Sequence, residues 1–154
     1  MRITEIEMSK QAFIYGAIHM LANRLQNVGD KIDPAISTKQ WFVLAVVSKY
    51  EEAPPNIGDI AAALGTSRQN IKKMANILKQ RGFLELEKDK NDKRSINLFL
   101  TKKCEKYFKG REQQESEYLK NIFLGVDDEM LNALCNGMGK LIENLDSLFE
   151  NTER

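Results

Sequence analysis

The chain has 154 residues, 42% of them hydrophobic, and a formal net charge of +1, the size of one domain or of a small domain with helical extensions. No run approaches the roughly 18–20 apolar residues that span a bilayer, and Met1–Lys10, with Glu5 and Glu7, lacks the apolar segment of a secretory signal, so no membrane partner and a cytoplasmic location are expected. Two distant cysteines, Cys104 and Cys135, with one histidine, His19, exclude a zinc pattern and predict neither metal nor cofactor.

The small net charge hides an asymmetry. Ser67–Arg94 holds nine basic and four acidic residues, whereas Glu112–Arg154 holds ten acidic and three basic ones. A polyanionic partner would meet the middle of the chain and avoid its C-terminus.

The first predicted element is a helix. Phe13, Ile14, Ala17, Ile18, Leu21, Ala22 and Leu25 recur at three- and four-residue spacing. It should fade near Asn27–Asp30, with Pro34 in the following loop. Ser37 or Thr38 can cap a second helix whose apolar set (Trp41, Phe42, Leu44, Ala45, Val46, Val47) runs nearly all round, so it should be central. Pro54 and Pro55 stop it, because proline has no N–H to donate.

Asn56 can cap a short third helix with Ile57, Ile60, Ala61 and Leu64 inward. Gly65 stands where a left-handed C-cap is needed. Ser67 can cap a fourth helix with Ile71, Met74, Ala75 and Leu78 inward, ended by Gly82. The period then changes from 3.6 to 2. Leu84 and Leu86 alternate with Glu85 and Glu87, and Ile96, Leu98 and Leu100 alternate with Asn97 and Phe99. Around the polar segment Lys88-Asp89-Lys90-Asn91-Asp92-Lys93-Arg94, these runs predict a β-hairpin with a long loop.

Thr101 can cap one long helix carrying Tyr107, Phe108, Tyr118, Leu119, Ile122 and Phe123, with Gly110 inside it. Asp127 caps a last helix, with an apolar stripe from Leu131 through Leu134, Met138, Leu141, Ile142, Leu145 and Leu148 to Phe149.

Two short helices joined by a tight glycine turn and followed by a hairpin suit insertion into double-stranded DNA. The second helix of such a pair lies in the major groove with its N-terminal residues facing base edges. Those residues are Ser67, Arg68, Gln69 and Asn70, followed on the polar side by Lys72, Lys73 and Asn76. Arginine can bind guanine bidentately, and glutamine or asparagine adenine; Lys72 and Lys73 suit phosphates. The hairpin loop offers Lys88, Lys90, Lys93 and Arg94 to a neighbouring minor groove or backbone. A basic helix face alone can equally be a solvated surface; the hairpin with its basic loop favours DNA.

Several segments resemble the MarR family of bacterial transcription regulators. Ser37–Leu44 is similar to the start of that family's second helix, Ile60–Ile71 to its helix-turn-helix, and Leu78–Leu84 to the exit of its recognition helix. Asp92-Lys93-Arg94, then five residues, then Leu100-Thr101 matches the family's wing pattern. Cys104 stands where the family often has glycine. The resemblance implies a mainly α fold with a small β-hairpin wing, a winged helix-turn-helix with N- and C-terminal dimerisation helices. It divides the chain into 1–36 (dimerisation), 37–101 (DNA-binding) and 102–154 (dimerisation). It implies a homodimeric repressor of a palindromic operator, released in many members by a small aromatic or phenolic effector, with Asp92 shaping the wing.

The apolar stripes of the first and last helices independently favour a dimer, whose two recognition helices would sit about one DNA turn, roughly 34 Å, apart. Tyr15, His19, Trp41 and Phe42 are candidates to line an effector pocket, with Tyr107 and Phe108 as further aromatic lining at the helix junctions. For Trp41 a core role, and for His19 that of a partly exposed bystander, are the competing readings. The cysteines read as buried free thiols, with a cysteine-based redox-responsive regulator as the alternative. A second alternative is a ligand- or protein-binding module that uses the winged fold without reading DNA. No phosphate loop, metal set or nucleophile signature supports an enzyme.

Overall fold

The computed structural model describes residues 8–90 and 92–152, the last three of these by backbone alone. Asn91 of the predicted loop, and Glu5 and Glu7, lie outside the described residues. The elements are α1 (Lys10–Ile32), α2 (Thr38–Val47), α3 (Ile57–Ala63), α4 (Arg68–Gln80), β1 (Leu84–Lys88), β2 (Ile96–Leu100), α5 (Lys102–Lys109), α6 (Glu112–Ile122) and α7 (Asp128–Thr152). They fall into two units, one through Phe108 and one from Lys109.

In the first unit, α1 starts at Ser9, whose hydroxyl accepts the Ala12 N–H. The helix outruns its expected end near Asn27–Asp30 and continues to Ile32. The reason is a docking contact that needs Gly29. A Cβ there would lie 2.3 Å from Thr38 Oγ1. With glycine in place, Thr38 donates its N–H to Asp30 Oδ1 (2.6 Å) and its hydroxyl to the Gln26 carbonyl (3.3 Å). The glycine expected to help end the helix is therefore a point of close approach between helices.

α2 opens on a capping box. Ser37 Oγ accepts the Gln40 N–H, and Gln40 Oε1 accepts the Ser37 N–H. Its Val43, Leu44 and Val47 are buried, as expected of a central helix, but Phe42 is 48% exposed in the described chain. α3 has its own box, with Asn56 Oδ1 accepting from Gly58 and Asp59, and Asp59 Oδ2 accepting from Asn56. Gly65, at φ +57°, turns the chain into α4. α4 ends with the Phe83 N–H on the Leu78 carbonyl, the Gly82 N–H on the Lys79 carbonyl and Gly82 at φ +76°, a left-handed glycine stop.

The predicted hairpin is an antiparallel pair with Leu84 opposite Leu100, Leu86 opposite Leu98 and Lys88 opposite Ile96. Its inner face buries Leu84 and Leu98. The backbone just before α3 lies along β2: the Leu98 N–H donates to the Pro55 carbonyl (2.9 Å), and Asn56 bridges Asn97. The helix-turn-helix and the wing thus share backbone hydrogen bonds. Their common core is Val43, Leu44, Ile60, Ile71, Ala75, Leu78, Leu84, Leu98 and Cys104. Each large aliphatic side chain fully withdrawn from water contributes about 1.5–3 kcal/mol.

The single long helix expected after Thr101 is two helices. Gly110 and Arg111 separate α5 from α6, and Arg111 sits at φ −112°, ψ −8°. Glycine stabilises a helix interior least among the non-proline residues, and the break falls where it stands. Thr101 does cap α5, accepting the Cys104 N–H while donating to the Gly82 carbonyl (2.7 Å). In the second unit, Asp127 Oδ1 caps α7 by accepting the Met130 N–H (2.8 Å). Leu134, Leu141, Leu145 and Leu148 of α7 are exposed in the described chain. The cysteines, both expected to be buried, differ: Cys104 is fully buried and Cys135, on α7, is exposed.

Candidate nucleic-acid interface

α4 is placed by its apolar row. Ile71, Ala75 and Leu78, at spacings of four and three, are fully buried, which pins one face of α4 to the core. Every polar residue singled out on it, Ser67, Arg68, Gln69, Asn70, Lys72, Lys73 and Asn76, is exposed. Ser67 is also the cap, accepting the Asn70 N–H at 3.2 Å, and Asn70 Nδ2 reaches Thr66 Oγ1 at 3.2 Å. Ser67 and Asn70 therefore serve the start of the helix as well as its surface.

The wing carries Lys88, Lys90, Lys93 and Arg94 on exposed positions. Asp92 folds the loop beneath Arg94: its Oδ1 accepts the Arg94 N–H (2.9 Å), while its carbonyl accepts the Ser95 N–H (2.9 Å). A second carboxylate, which sequence reasoning did not single out, organises the same loop. Asp89 accepts the Asp92 N–H (2.9 Å) and Asn97 Nδ2 (2.9 Å), and its own N–H donates to the Ser95 carbonyl (3.0 Å). The signal was present in the spacing. Asp89 lies three residues before Asp92, an arrangement in which a carboxylate can accept a backbone N–H ahead of it.

Between the start of α3, the start of α4 and the base of the wing lies an open cleft of about 560 Å³. Arg68, Gln69 and Lys72 line it from α4, Asp92 and Arg94 from the wing, and Asn56 and Gly58 from the start of α3. The fold thus brings α4 and wing cations to one place, which their separation of more than twenty residues in sequence does not reveal.

The proposed effector-pocket residues form two separate ring pairs. The Tyr15 and His19 rings meet at a 49° tilt with centroids 4.8 Å apart on α1, where His19 Nδ1 lies 3.0 Å from the Tyr15 carbonyl and Tyr15 is 70% exposed. Trp41 and Phe42 meet edge-on at 5.1 Å. Trp41 continues to Phe108 (6.3 Å), Phe108 to Tyr107 (5.8 Å) and Tyr107 to Phe83 (5.1 Å). Trp41 and Phe108 pack against the core from half-buried positions, and the Tyr107 hydroxyl donates to the buried Asp33 carboxylate. Burial pushes the Cys104 thiol up to about 11, with Glu105 adding to the effect; its thiolate, the form that reacts with oxidants, is suppressed at neutral pH. Among the described residues no group of three or more His, Cys, Asp or Glu could hold a metal, and no helix is long and apolar enough to cross a membrane.

Residues 35–95, which span the helix-turn-helix and most of the wing, match the family model described as MarR family. The transcriptional repressor MprA of Escherichia coli K12 is 24% identical over 132 residues, covering 85% of this chain and 75% of that protein. The transcriptional activatory protein BadR of Rhodopseudomonas palustris is 25% identical over 147 residues, covering 94% and 82%. A solved structure of the S. aureus MepR–DNA complex superposes with a TM-score of 0.78 at 16% identity, covering 90% of this chain and 99% of that one. The match to the MarR family model thus covers the helix-turn-helix and most of the wing, and the likeness over the whole chain is one of fold, a mainly helical winged helix-turn-helix with a two-stranded hairpin.

Proposed function

We propose that this chain is a cytoplasmic, sequence-specific regulator that binds double-stranded DNA as a homodimer and represses transcription from a palindromic operator. The observation that carries the reading is the joint presentation of exposed cations by α4 and a wing built around Asp89 and Asp92. α4 enters the major groove, and the wing, with Lys88, Lys90, Lys93 and Arg94, reaches the adjoining minor groove or backbone.

Surface chemistry supports the dimer. Phe13, Ile14, Leu21 and Leu25 on α1, and Leu134, Leu141, Leu145 and Leu148 on α7, are exposed apolar side chains in helical register. Faces of this kind are normally covered in a soluble assembly, and a second copy with two-fold symmetry covers them while presenting two recognition helices to two half-sites. This assigns 1–36 and 102–154 to dimerisation and 37–101 to DNA.

A small aromatic or phenolic effector is the release signal. The exposed Phe42 beside Trp41 supports an aromatic contact on α2. The exposed Tyr15–His19 pair offers a second ring surface and a polar edge on α1.

Fluorescence anisotropy with the DNA upstream of the chain's own gene tests the DNA reading, and light scattering tests the dimer. Binding that weakens steeply with salt, by a particle of twice the chain mass, supports it. No binding at low salt refutes it and favours a winged module that does not read DNA.

A further inference from the structure

Resting on the DNA-binding reading, we propose that α4 divides its polar residues into two rows with different tasks. Gln69, Lys73 and Asn76 read base edges, while Arg68 and Lys72 join Arg94 of the wing in gripping the sugar-phosphate backbone. On chemistry alone, Arg68 would be the guanine reader; its position in the fold assigns it to phosphate.

The division follows from helix geometry. Residues four and three apart share a face. Ile71, Ala75 and Leu78 form the buried row. Lys73 lies midway between Ile71 and Ala75, one turn apart, and so points directly away from the core. Gln69 precedes it by four residues, and Asn76, seven residues or two turns after Gln69, lies nearly in line with Gln69, so at 100° per residue all three point more than about 120° from the buried row, and all three are exposed. This is the row that meets the groove floor when α4 lies in it.

Arg68 and Lys72 are also four apart, but one residue round toward the buried row. They face sideways and line the cleft at the base of the wing, where Gln69, at the edge between the two rows, joins them. The Arg68 guanidinium lies back along α3: a Cβ added at Gly58 would come within 3.3 Å of Arg68 Nε and 3.5 Å of its terminal nitrogen. Arg94 lines the same cleft from the wing, its backbone held by Asp92, which lines the cleft as well. Three cations converging from two elements suit a backbone that passes between groove floor and wing. Phosphate contacts of this kind set register and orientation without reading sequence.

The base row carries its own chemistry. Two carboxamides, Gln69 and Asn76, can each pair bidentately with adenine N6 and N7, and Lys73 between them suits guanine O6 and N7. The half-site should therefore present adenines flanking a guanine in the major groove.

The test uses the full chain and two labelled duplexes, one enriched by selection from a randomised pool and one of random sequence, titrated across a salt series. Arg68→Ala and Arg94→Ala should weaken both duplexes by similar factors and lower the salt slope by about 0.9 for each phosphate left without its cation. Gln69→Ala and Asn76→Ala should cut the preference for the selected duplex by about tenfold with the slope unchanged. The division is overturned if Arg68→Ala lowers the preference at constant slope, or if the Gln69 and Asn76 variants weaken both duplexes alike. A wild-type chain that holds neither duplex at low salt overturns the DNA-binding reading itself.

Discussion

Replacing Asp89 by alanine is expected to disorder the wing while leaving the helix-turn-helix folded. The side chain accepts two hydrogen bonds, from the Asp92 N–H and from Asn97 Nδ2, each at 2.9 Å. Bonds to an ionised group contribute about 1.5–3 kcal/mol each. Asp89 is only half-buried in a surface loop, so the lower end applies and the wing is destabilised locally by about 2–3 kcal/mol. The consequences reach Arg94, because Asp92 positions its backbone and Asp89 positions Asp92. DNA binding must then restore the ordered loop. On the proposed DNA-binding reading, at about 1.4 kcal/mol per factor of ten, affinity should fall about 30- to 100-fold, with a shallower salt slope because the wing cations would no longer be held toward the phosphates. The fully buried residues Ile71, Leu84 and Leu98 are untouched, so the thermal midpoint by circular dichroism should move by only a few degrees. Asp89→Asn keeps an acceptor without the charge and should fall between. Affinity within about twofold of wild type, with an unchanged slope, would refute the placement of the wing by Asp89. Collapse of the thermal midpoint would show that Asp89 supports the core instead.

A maleimide should reach the buried Cys104, whose thiol is pushed up to about 11, only on unfolding; rapid labelling of Cys104 in the native chain, read by peptide mass mapping, would refute its burial. Ile71→Ala removes a fully buried side chain from the inner face of α4 and should lower stability by about 2–5 kcal/mol in urea titrations; a change below about 1 kcal/mol would show that α4 is not held by this row. The Thr38 backbone N–H holds the Asp30 carboxyl below its ordinary value. A carboxylate depressed in the folded state stabilises above its unfolded pKa, and that contribution is lost as pH falls through the folded value. Wild type should therefore exceed Asp30→Asn in stability at neutral pH and converge with it in acid; a gap that persists in acid would refute the electrostatic origin.

Local signals carried much of the fold. Asn56, Ser67, Thr101 and Asp127 all cap the helices expected of them, because a cap depends on a side chain and backbone N–H groups two or three residues ahead. Gly65 and Gly82 take the positive φ values that their positions demanded. Gly29 departs from expectation for the complementary reason: its role depends on Thr38, brought close by folding rather than by spacing. The break at Gly110 divided a helix whose apolar pattern runs on either side of it.

The candidate interface shows the same boundary. Residue type and period were enough to pick out Arg68, Gln69, Lys72, Lys73, Asn76 and the wing cations as a basic, solvent-facing set, since charge and helical spacing are one-dimensional properties. Which of them share a surface is not. The tertiary structure alone brought Arg68, Lys72 and Arg94 to the lining of one cleft, tied the wing to α3 through Pro55 and Asn56, and separated Tyr15 and His19 from Trp41 and Phe42 as distinct ring pairs. It also separated a buried Cys104 from an exposed Cys135. Sequence alone determined most of the elements, their caps and their polar faces, because those follow from interactions within a turn or two of chain. Neighbours across elements had to wait for the core around Ile71, Leu78, Leu84 and Leu98, whose burial decides how helix and hairpin are turned toward each other.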